Sequence, residues 1–308
     1  MTRRRFVQAA GLLASGAAVG GCSVAARMNA PTPPAPSFPP VTQTVGATRI
    51  TALRTGAVAV KAAHRAFGGP AGLRLPAIVF DPRWTPWLPI TCWLIEHPEG
   101  PIMVDTGETA QTADPGYFAC DAGTRFVYER LLRFDVAPSA EVGPLLGTLG
   151  VPADAISTVV LTHLHSDHAG GLSHFPNATF LLSETEAAQP PPGALPCRWP
   201  SFFRPIGVAY EDGPFGAFPA SQALTTDGMV RLVPTPGHTR GHQSVLIGDG
   251  AQWVLLAGDA SFSRQQVEQR IVAGICDDVG AARRTLAVIA EQLEQFETTY
   301  LAAHEQNP

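Results

Sequence analysis

Short apolar runs alternate with turns along most of the chain, and three longer stretches carry apolar residues at helical spacing. The short runs predict β-strands at 50–60, 90–96, 101–104, 156–161, 179–182, 229–233, 245–247, 253–256 and 300–303. The longer stretches predict helices at 123–135, 142–149 and 281–296. Gly248-Asp249-Gly250, between two of the strands, is typical of a hairpin turn. The strands fall into two groups along the chain, each followed by helices, and this order predicts an α/β fold built as a layered sandwich.

The first 22 residues have the pattern of an export signal. Arginines at positions 3–5 precede an apolar stretch of mostly small residues that runs from 9 to 21. The arginine pair followed by Phe6 resembles a twin-arginine signal, and Val-Gly-Gly-Cys at 19–22 resembles a lipobox. A lipobox would place a lipid on Cys22, whereas the alternative is an incidental cysteine at an ordinary cleavage site. We therefore predict an exported, periplasmic protein, attached to the membrane if Cys22 is lipidated.

A proline-rich linker separates this signal from the rest of the chain. Residues 30–40 hold too many prolines for a helix or a sheet interior, and they predict a semi-rigid polyproline spacer. We place the signal at 1–22, the linker at 23–46 and a single domain at 47–308. The whole chain of 308 residues has 45% hydrophobic residues, which is enough to bury a sizeable core.

Charge and cysteine spacing argue against two kinds of site. A net charge of -5, with charged residues at only 15%, does not fit a nucleic-acid-binding surface. Cys92, Cys120, Cys197 and Cys276 are too widely spaced for a cysteine zinc site. One disulfide among these four would suit an oxidising compartment, but spacing leaves the pairing open. Buried free thiols are the alternative, which we favour for Cys92 because it lies in an apolar strand.

The densest cluster of chemically active residues directly follows a predicted strand. His163, His165, Asp167 and His168 lie within six residues of one another, between apolar flanks. Imidazole and carboxylate together suit Zn²⁺, although iron or manganese would accept the same ligands. Side chains at these spacings cannot all point to one centre, so we expect two neighbouring metal ions. The alternative is a polar surface loop, but such a loop has no reason to place four ligand groups at this spacing.

Three further ligand candidates follow predicted strands later in the chain. They are His238 in the segment 236–242, Asp259 after Gly258, and His304 near the end of the chain. Open sheets build their sites at the carboxyl ends of strands. We therefore expect the two regions to meet in one centre with five histidines and two aspartates.

The remaining histidines receive weaker interpretations. His242 follows His238 by four residues, and it would either support the metal ligands from outside or, as we favour, make a structural hydrogen bond inside its loop. His64, His97 and His174 have no partner that the sequence identifies. We expect these three at the surface or hydrogen-bonded in the core.

The His163-x-His165-x-Asp167-His168 motif, followed by His238, Asp259 and His304, resembles the metallo-β-lactamase superfamily over most of the mature domain. The resemblance implies a four-layer αβ/βα sandwich with a dinuclear site at one edge. It implies that His163, His165 and His238 hold the first metal. It further implies that Asp167, His168 and His304 hold the second, with Asp259 bridging the two. Asp105, in Asp-Thr-Gly at 105–107, would orient ligands from behind, or else cap a turn.

Within the superfamily, the chain looks most like the N-acyl-homoserine lactonase branch. The segments 95–100, 105–107, 163–171 and 236–244 carry this likeness. A bridging Asp259 argues against the true β-lactamases. Asp259-Ala-Ser-Phe262 resembles that branch's Asp-Ala-Ser-Tyr, but Phe262 lacks the tyrosine hydroxyl that helps hold the substrate carbonyl. Phe262 is therefore a candidate for the substrate pocket, and it leaves the exact substrate open.

The resemblance implies a metal-dependent hydrolase with two Zn²⁺ per chain and a small-molecule ester or lactone as its substrate. N-acyl-homoserine lactones, the signals removed in quorum quenching, are the leading class, and a metal-bridging hydroxide would attack the carbonyl. Asp167 is the candidate that protonates the leaving alkoxide, and Asp259 is the bridging catalytic carboxylate. The alternatives are an organophosphate triesterase or arylesterase, and a β-lactamase-like hydrolase. A scaffold without turnover is the rival outside enzymes, and the complete ligand set argues against it. The sequence leaves the oligomeric state open.

Overall fold

Two β-sheets form the centre of the protein. The computed structural model describes residues 40–306. Its strands are β1 (Val41–Val45), β2 (Thr48–Val60), β3 (Leu88–His97), β4 (Gly100–Val104), β5 (Leu132–Asp135), β6 (Thr158–Val160), β7 (Thr179–Ser183), β8 (Ile206–Val208), β9 (Gln222–Ala223), β10 (Val230–Pro234), β11 (Gln243–Gly248), β12 (Trp253–Gly258) and β13 (Thr298–Ala302). Its α-helices are α1 (Ala62–Arg65), α2 (Arg74–Phe80), α3 (Ala122–Leu131), α4 (Val142–Thr148), α5 (Ser166–Ala169), α6 (Glu184–Ala188), α7 (Arg264–Glu268) and α8 (Val279–Gln295). Short 3-10 turns connect several of these elements.

The two sheets differ in how their strands run. The larger sheet has the order β1-β2-β3-β4-β6-β7-β8, with β5 paired to β2. Its first four strands in this order are antiparallel, whereas β4, β6, β7 and β8 are parallel. The smaller sheet has the order β13-β12-β11-β10-β9, and its β12 and β13 are parallel. The parallel strands make several carboxyl ends meet at the same edge, which is where a site can form.

Alternating side chains divide the core into three apolar layers between four layers of structure. Val254 and Leu256 of β12 pack toward the larger sheet, in a cluster drawn from both sheets. Leu255, between them, points the other way and packs with Leu286 and Ile289 of α8. On the far side of the larger sheet, α4 covers residues of β3, β4 and β7. The order is helix, sheet, sheet, helix, which confirms the predicted four-layer sandwich.

Most predicted elements are confirmed within a few residues, but the helix predicted at 123–135 is wrong at its end. Helix α3 stops at Leu131, and Leu132–Asp135 form β5, which pairs with the second half of β2. The spacing of Val127, Leu131 and Leu132 fits a helix, but the free edge of β2 offers hydrogen bonds that local spacing cannot reveal.

The beginning of the chain also differs from the predicted layout. Strand β1 falls inside the segment expected to be linker, and it pairs with β2 through five residues. The sheet therefore begins before residue 47. The predicted export signal, with Cys22, and most of the linker lie outside the described residues. Among the helices of residues 40–306, none has the length and apolar character needed to cross a bilayer.

One disulfide joins two distant segments near the edge where the site lies. Cys120 and Cys197, which are 77 positions apart in sequence, are bonded, and Cys92 and Cys276 are buried free thiols. This settles the pairing that spacing left open, and it confirms the free thiol expected for Cys92. Next to the bond, Arg198 donates hydrogen bonds to the carbonyl oxygens of Gly116 and Tyr117. The segment that holds Cys197 is therefore attached at several points.

We predict that the double variant Cys120→Ser, Cys197→Ser is less stable than the wild type. A crosslink that closes a loop of this length restricts the unfolded chain, and its loss should lower the free energy of unfolding by about 4 kcal/mol. Chemical denaturation with and without reductant measures the difference. Reductant should lower the free energy of unfolding of the wild type to that of the variant and leave the value for the variant unchanged. If the denaturation midpoint of the wild type does not change with reductant, after complete reduction is verified, the stabilising role of the disulfide is contradicted.

Candidate metal centre

The carboxyl ends of five strands supply the side chains of the site. Asp105 directly follows β4, and His163 follows β6 three residues after its end. Asp259 directly follows β12, His304 follows β13, and His238 lies on the loop after β10. His165, Asp167 and His168 continue the loop that His163 begins. All seven predicted ligand candidates are brought together at this edge, as overlapping groups of three.

The first cluster consists of three histidines whose ring nitrogens converge. His163 Nε2 and His238 Nε2 each lie 2.9 Å from His165 Nδ1. The other nitrogen of His165 faces the carbonyl oxygen of Pro192 at 3.1 Å, so we assign its proton there and a lone pair to Nδ1. His163 Nδ1 faces Thr162 Oγ1 at 3.1 Å, which leaves a lone pair on its Nε2 as well. Converging lone pairs repel one another, and a cation between them removes that repulsion.

The second cluster repeats this arrangement with carboxylates. His168 Nδ1 donates to Asp105 Oδ2 at 2.8 Å, and His304 Nδ1 donates to the carbonyl oxygen of Pro89 at 2.8 Å. With Nδ1 of each ring committed to these bonds, Nε2 is the atom that can bind either a proton or a metal ion. Asp167 Oδ2 lies 3.5 Å from His304 Nε2, and Asp167 Oδ1 lies 4.0 Å from His168 Nε2.

Asp259 lies between the two clusters. Its Oδ1 is 3.3 Å from the Nε2 atoms of both His168 and His304, and its Oδ2 is 3.4 Å from His238 Nε2. Despite these distances, Asp259 Oδ1 and His168 Nε2 are buried without a hydrogen bond. Buried polar atoms in proteins are normally paired. Imidazole nitrogens and carboxylate oxygens that face each other without hydrogen bonds fit two metal ions, and zinc accepts this set of donors.

The electrostatics of the centre favour added positive charge. Burial lowers the pKa of His163 and of His238 well below the ordinary histidine range, so these rings are neutral and able to bind a cation. Burial opposes the charged form of His168 too, but the carboxylates of Asp259 and Asp105 raise its pKa well above that range. Burial would raise the pKa of Asp259, yet His304 and His168 hold it well below its ordinary value. The buried carboxylates therefore need positive charge nearby to compensate their own.

Asp105 orients the centre from behind through an unusual backbone conformation. Its φ is 58°, in the left-handed region that residues other than glycine seldom adopt. Its Oδ1 accepts from Thr162 N at 2.7 Å, and its Oδ2 accepts from Thr162 Oγ1 at 2.9 Å. Together with the bond to His168, these contacts fix the loop that begins at β6. Strain of this kind typically persists where the surroundings enforce it at a functional site.

His242 supports the centre without facing it. His242 Nδ1 lies 2.8 Å from Thr235 Oγ1, and its Nε2 accepts from Asp259 N at 3.0 Å. The contact with Thr235 is a local structural bond of the kind expected, and the contact with Asp259 shows that His242 also supports a ligand candidate from outside its loop. Gly258 makes this contact feasible, because its φ is 53° and a Cβ there would lie 2.8 Å from His242 Nε2.

Glu186, which the sequence interpretation missed, joins the two loops that carry the first cluster. Its side chain is buried and accepts from Leu164 N at 3.1 Å, Thr239 Oγ1 at 2.8 Å and Gly241 N at 3.1 Å. Leu164 lies between His163 and His165, and Thr239 follows His238 directly. A glutamate on a short helix carries no local signal of this role, since its partners are distant in sequence.

Phe262 lies beside the second cluster. Its ring is 3% exposed and stacks on His304, with ring centroids 5.4 Å apart. The ring of His64 meets Phe262 edge-on at 6.2 Å. Phe262 therefore forms an apolar wall directly behind one ligand candidate.

A family model described as the metallo-beta-lactamase superfamily matches residues 85–301. The chain belongs to the metallo-beta-lactamase superfamily. The resemblance found in the sequence is thereby confirmed, and membership implies a divalent metal. The unpaired donors around Asp259 are the groups in this chain that fit the superfamily's metal.

Two related proteins match just over half of this chain in sequence. An N-acyl homoserine lactonase from a Bacillus species is 33% identical over 189 residues, which cover 60% of this chain and 68% of that protein. A probable metallo-hydrolase of Mycobacterium tuberculosis is 29% identical over 191 residues, 58% of each chain. The chain thus matches just over half the length of this mycobacterial relative.

Solved structures show the same fold at lower identity. A crystal structure of a Bacillus thuringiensis AiiA variant with bound N-decanoyl-L-homoserine has a TM-score of 0.66 and 22% identity, covering 83% of this chain and 92% of that one. AidC, described as a dizinc quorum-quenching lactonase in complex with its product, has a TM-score of 0.59 and 16% identity, covering 86% and 90%. At these identities the likeness establishes the fold alone.

We predict that Glu186→Gln weakens metal binding while the fold persists. An amide has one acceptor oxygen in place of two, and its NH₂ would face a backbone N–H that needs an acceptor. Loss of a group that supports metal ligands should lower zinc affinity by roughly tenfold or more. Competition with a zinc chelator measures the affinity. Glu184→Gln, an exposed glutamate on the same helix, is the matched control and should bind zinc like the wild type. Equal affinity in both variants would contradict this role of Glu186.

Proposed function

We propose that this protein is a two-zinc hydrolase that opens the lactone ring of N-acyl-homoserine lactones. The observation that carries the proposal is the meeting of seven donor side chains in two clusters that share Asp259. The sequence relationship to a Bacillus N-acyl homoserine lactonase supports the choice of substrate. Quorum-quenching activity would follow from hydrolysis of these signals.

Each cluster would hold one ion. His163, His165 and His238 would bind the first, and Asp167, His168 and His304 the second, with Asp259 reaching both. Zinc ions bound there would supply a hydroxide nucleophile at neutral pH and positive charge beside the substrate carbonyl. Asp105 would keep the proton of His168 on Nδ1 and so keep its Nε2 available to the metal.

Asp167 is the group that we assign to proton transfer. Its carboxylate lies at the second cluster, with Oδ2 3.5 Å from His304 Nε2. Opening a lactone releases an alkoxide, which needs a proton before it leaves the site. The carboxylate of Asp167 would take the proton given up by the attacking water and deliver it to that alkoxide.

The second candidate function is hydrolysis of aryl esters or phosphotriesters. Phe262 favours it, because a phenyl ring places no hydroxyl beside the second cluster. Aryl and nitrophenyl leaving groups are stable as anions, and they need less help from a hydrogen-bond donor than an alkoxide does.

The deciding experiment is a substrate panel with purified, zinc-loaded protein. We expect kcat/KM for N-decanoyl-homoserine lactone to exceed the values for a phenyl ester, a phosphotriester and a β-lactam. Asp167→Asn should lower lactone turnover by roughly a hundredfold or more, because an amide cannot carry the proton. Efficient turnover of the phosphotriester or phenyl ester without lactone hydrolysis would replace the lactonase proposal by the second candidate.

We infer that the protein is exported and that it acts in the periplasm. The arginine pair and the small-residue segment that ends at Cys22 support this inference. The disulfide between Cys120 and Cys197 also supports it, because such bonds persist mainly in oxidising compartments. Attachment to the membrane would depend on a lipid at Cys22.

We predict that replacing Arg3 and Arg4 by lysine traps the precursor in the cytoplasm, because twin-arginine export depends on the arginine pair. Fractionation followed by immunoblotting locates the protein. Arg5→Lys, next to the pair, is the control and should be exported. Normal processing and export of the double variant would show that a different route is used. Cys22-dependent incorporation of labelled palmitate tests the lipid separately.

A further inference from the structure

His64 is a buried histidine that lacks the hydrogen bonds expected of its surroundings. Its side chain is 8% exposed, and its Nδ1 is buried without a partner. His97 is equally buried at 8%, but its Nε2 pairs with Asp227 at 2.9 Å. His174 likewise pairs with Glu141 at 2.8 Å. The expectation that all three are satisfied or at the surface is therefore wrong for His64. Leaving a buried polar group unpaired is costly, so a partner from outside the chain would stabilise it.

The backbone around His64 is held rigidly. Ile275 N donates to the carbonyl oxygen of His64 at 3.0 Å, and Asp81 Oδ2 accepts from Ala63 N at 2.9 Å. Gly274 packs so closely on Ala63 that an added Cβ would overlap the Ala63 carbonyl oxygen. The unpaired ring nitrogen is thus not the result of a loose segment.

A single glutamine side chain fixes His64 relative to Phe262. Gln266 Oε1 accepts from Phe262 N at 2.8 Å, and its Nε2 donates to the carbonyl oxygen of Arg65 at 3.0 Å. Arg65 directly follows His64. The two rings that meet edge-on are therefore held as one unit, in the way that binding sites are preorganised.

This unit borders the metal centre. Phe262 stacks on His304, and the ring of His64 lies against Phe262. His64 is near enough to the centre for His165, Asp259 and His304 to influence its charge. Burial first, and then the nearby His165 and His304, lower the pKa of His64 to about 3 against the opposing effect of the Asp259 carboxylate, so the ring is neutral and can either donate or accept.

We propose that His64 hydrogen-bonds an oxygen atom of the bound lactone or ester, on the His304 side of the metal centre. The proposal rests on the hydrolase function proposed above and assigns a substrate-binding residue to it. Phe262 supplies an apolar wall there, and the imidazole beside it supplies the polar contact that the phenyl ring cannot. A substrate oxygen would give the unpaired nitrogen its missing partner.

The test compares His64→Phe with His64→Asn in the full-length, zinc-loaded protein. Phenylalanine keeps a ring against Phe262 but removes the polar atom, whereas asparagine places an amide near the position of Nδ1. Loss of one neutral hydrogen bond should lower kcat/KM roughly fivefold in His64→Phe. His64→Asn should recover most of the lost kcat/KM. Zinc content and melting temperature should match the wild type. His97→Phe, an equally buried histidine at the opposite edge of the sandwich, is the control and should leave kcat/KM unchanged.

The outcomes separate this proposal from the function on which it rests. A wild type that hydrolyses phenyl esters but not lactones refutes the lactonase function, and the His64 comparison then uses the phenyl ester. An unchanged kcat/KM in His64→Phe overturns the proposal. So does an equal loss in His64→Phe and His64→Asn accompanied by lost zinc or a lower melting temperature, since that result marks a structural role. If His64→Phe does not fold, His64→Ala takes its place against His64→Asn.

Discussion

The burial of two carboxylates among five imidazoles is the constraint on which the rest of the structure depends. Asp167 and Asp259 are both less than a tenth exposed, and the Nδ1 atoms of His168 and His304 are hydrogen-bonded elsewhere, so that their Nε2 atoms face these carboxylates. Buried charge is expensive unless it is compensated within the protein. Metal cations provide that compensation and satisfy the unpaired donors at the same time. The geometry of the centre is therefore better explained by cation binding than by an internal network of ion pairs.

The fold supplies rigidity at the points where this constraint acts. The two sheets bring the carboxyl ends of β4, β6, β10, β12 and β13 to one edge, and the apolar layers on both sides fix these strands. Outside the ring of ligand candidates, each loop has its own support. Asp105 holds the loop after β6, His242 holds the backbone of Asp259, and Glu186 joins the loops of the first cluster. The positions of the ligand candidates are thus fixed by residues that would not touch the metal.

Sequence patterns predict the fold layers and the seven ligand candidates because these features have local signals. Strand alternation, the spacing of His163 to His168, and a donor just past each strand are visible without tertiary contacts. Contacts between segments far apart in sequence have no such signal. The edge strand β5, the partners of Glu186, and the unpaired ring of His64 all depend on them. The pairing of Cys120 with Cys197 had to come from the structure for the same reason.

A zinc titration of the metal-free protein shows most directly whether the centre binds two ions that act together. Elemental analysis of the dialysed product gives the ions per chain, and activity is followed at each addition. We expect that activity rises until two equivalents are bound, and that Asp259→Asn retains about one equivalent with little activity. Full activity with a single tightly bound ion per chain would show that the centre does not need a second ion.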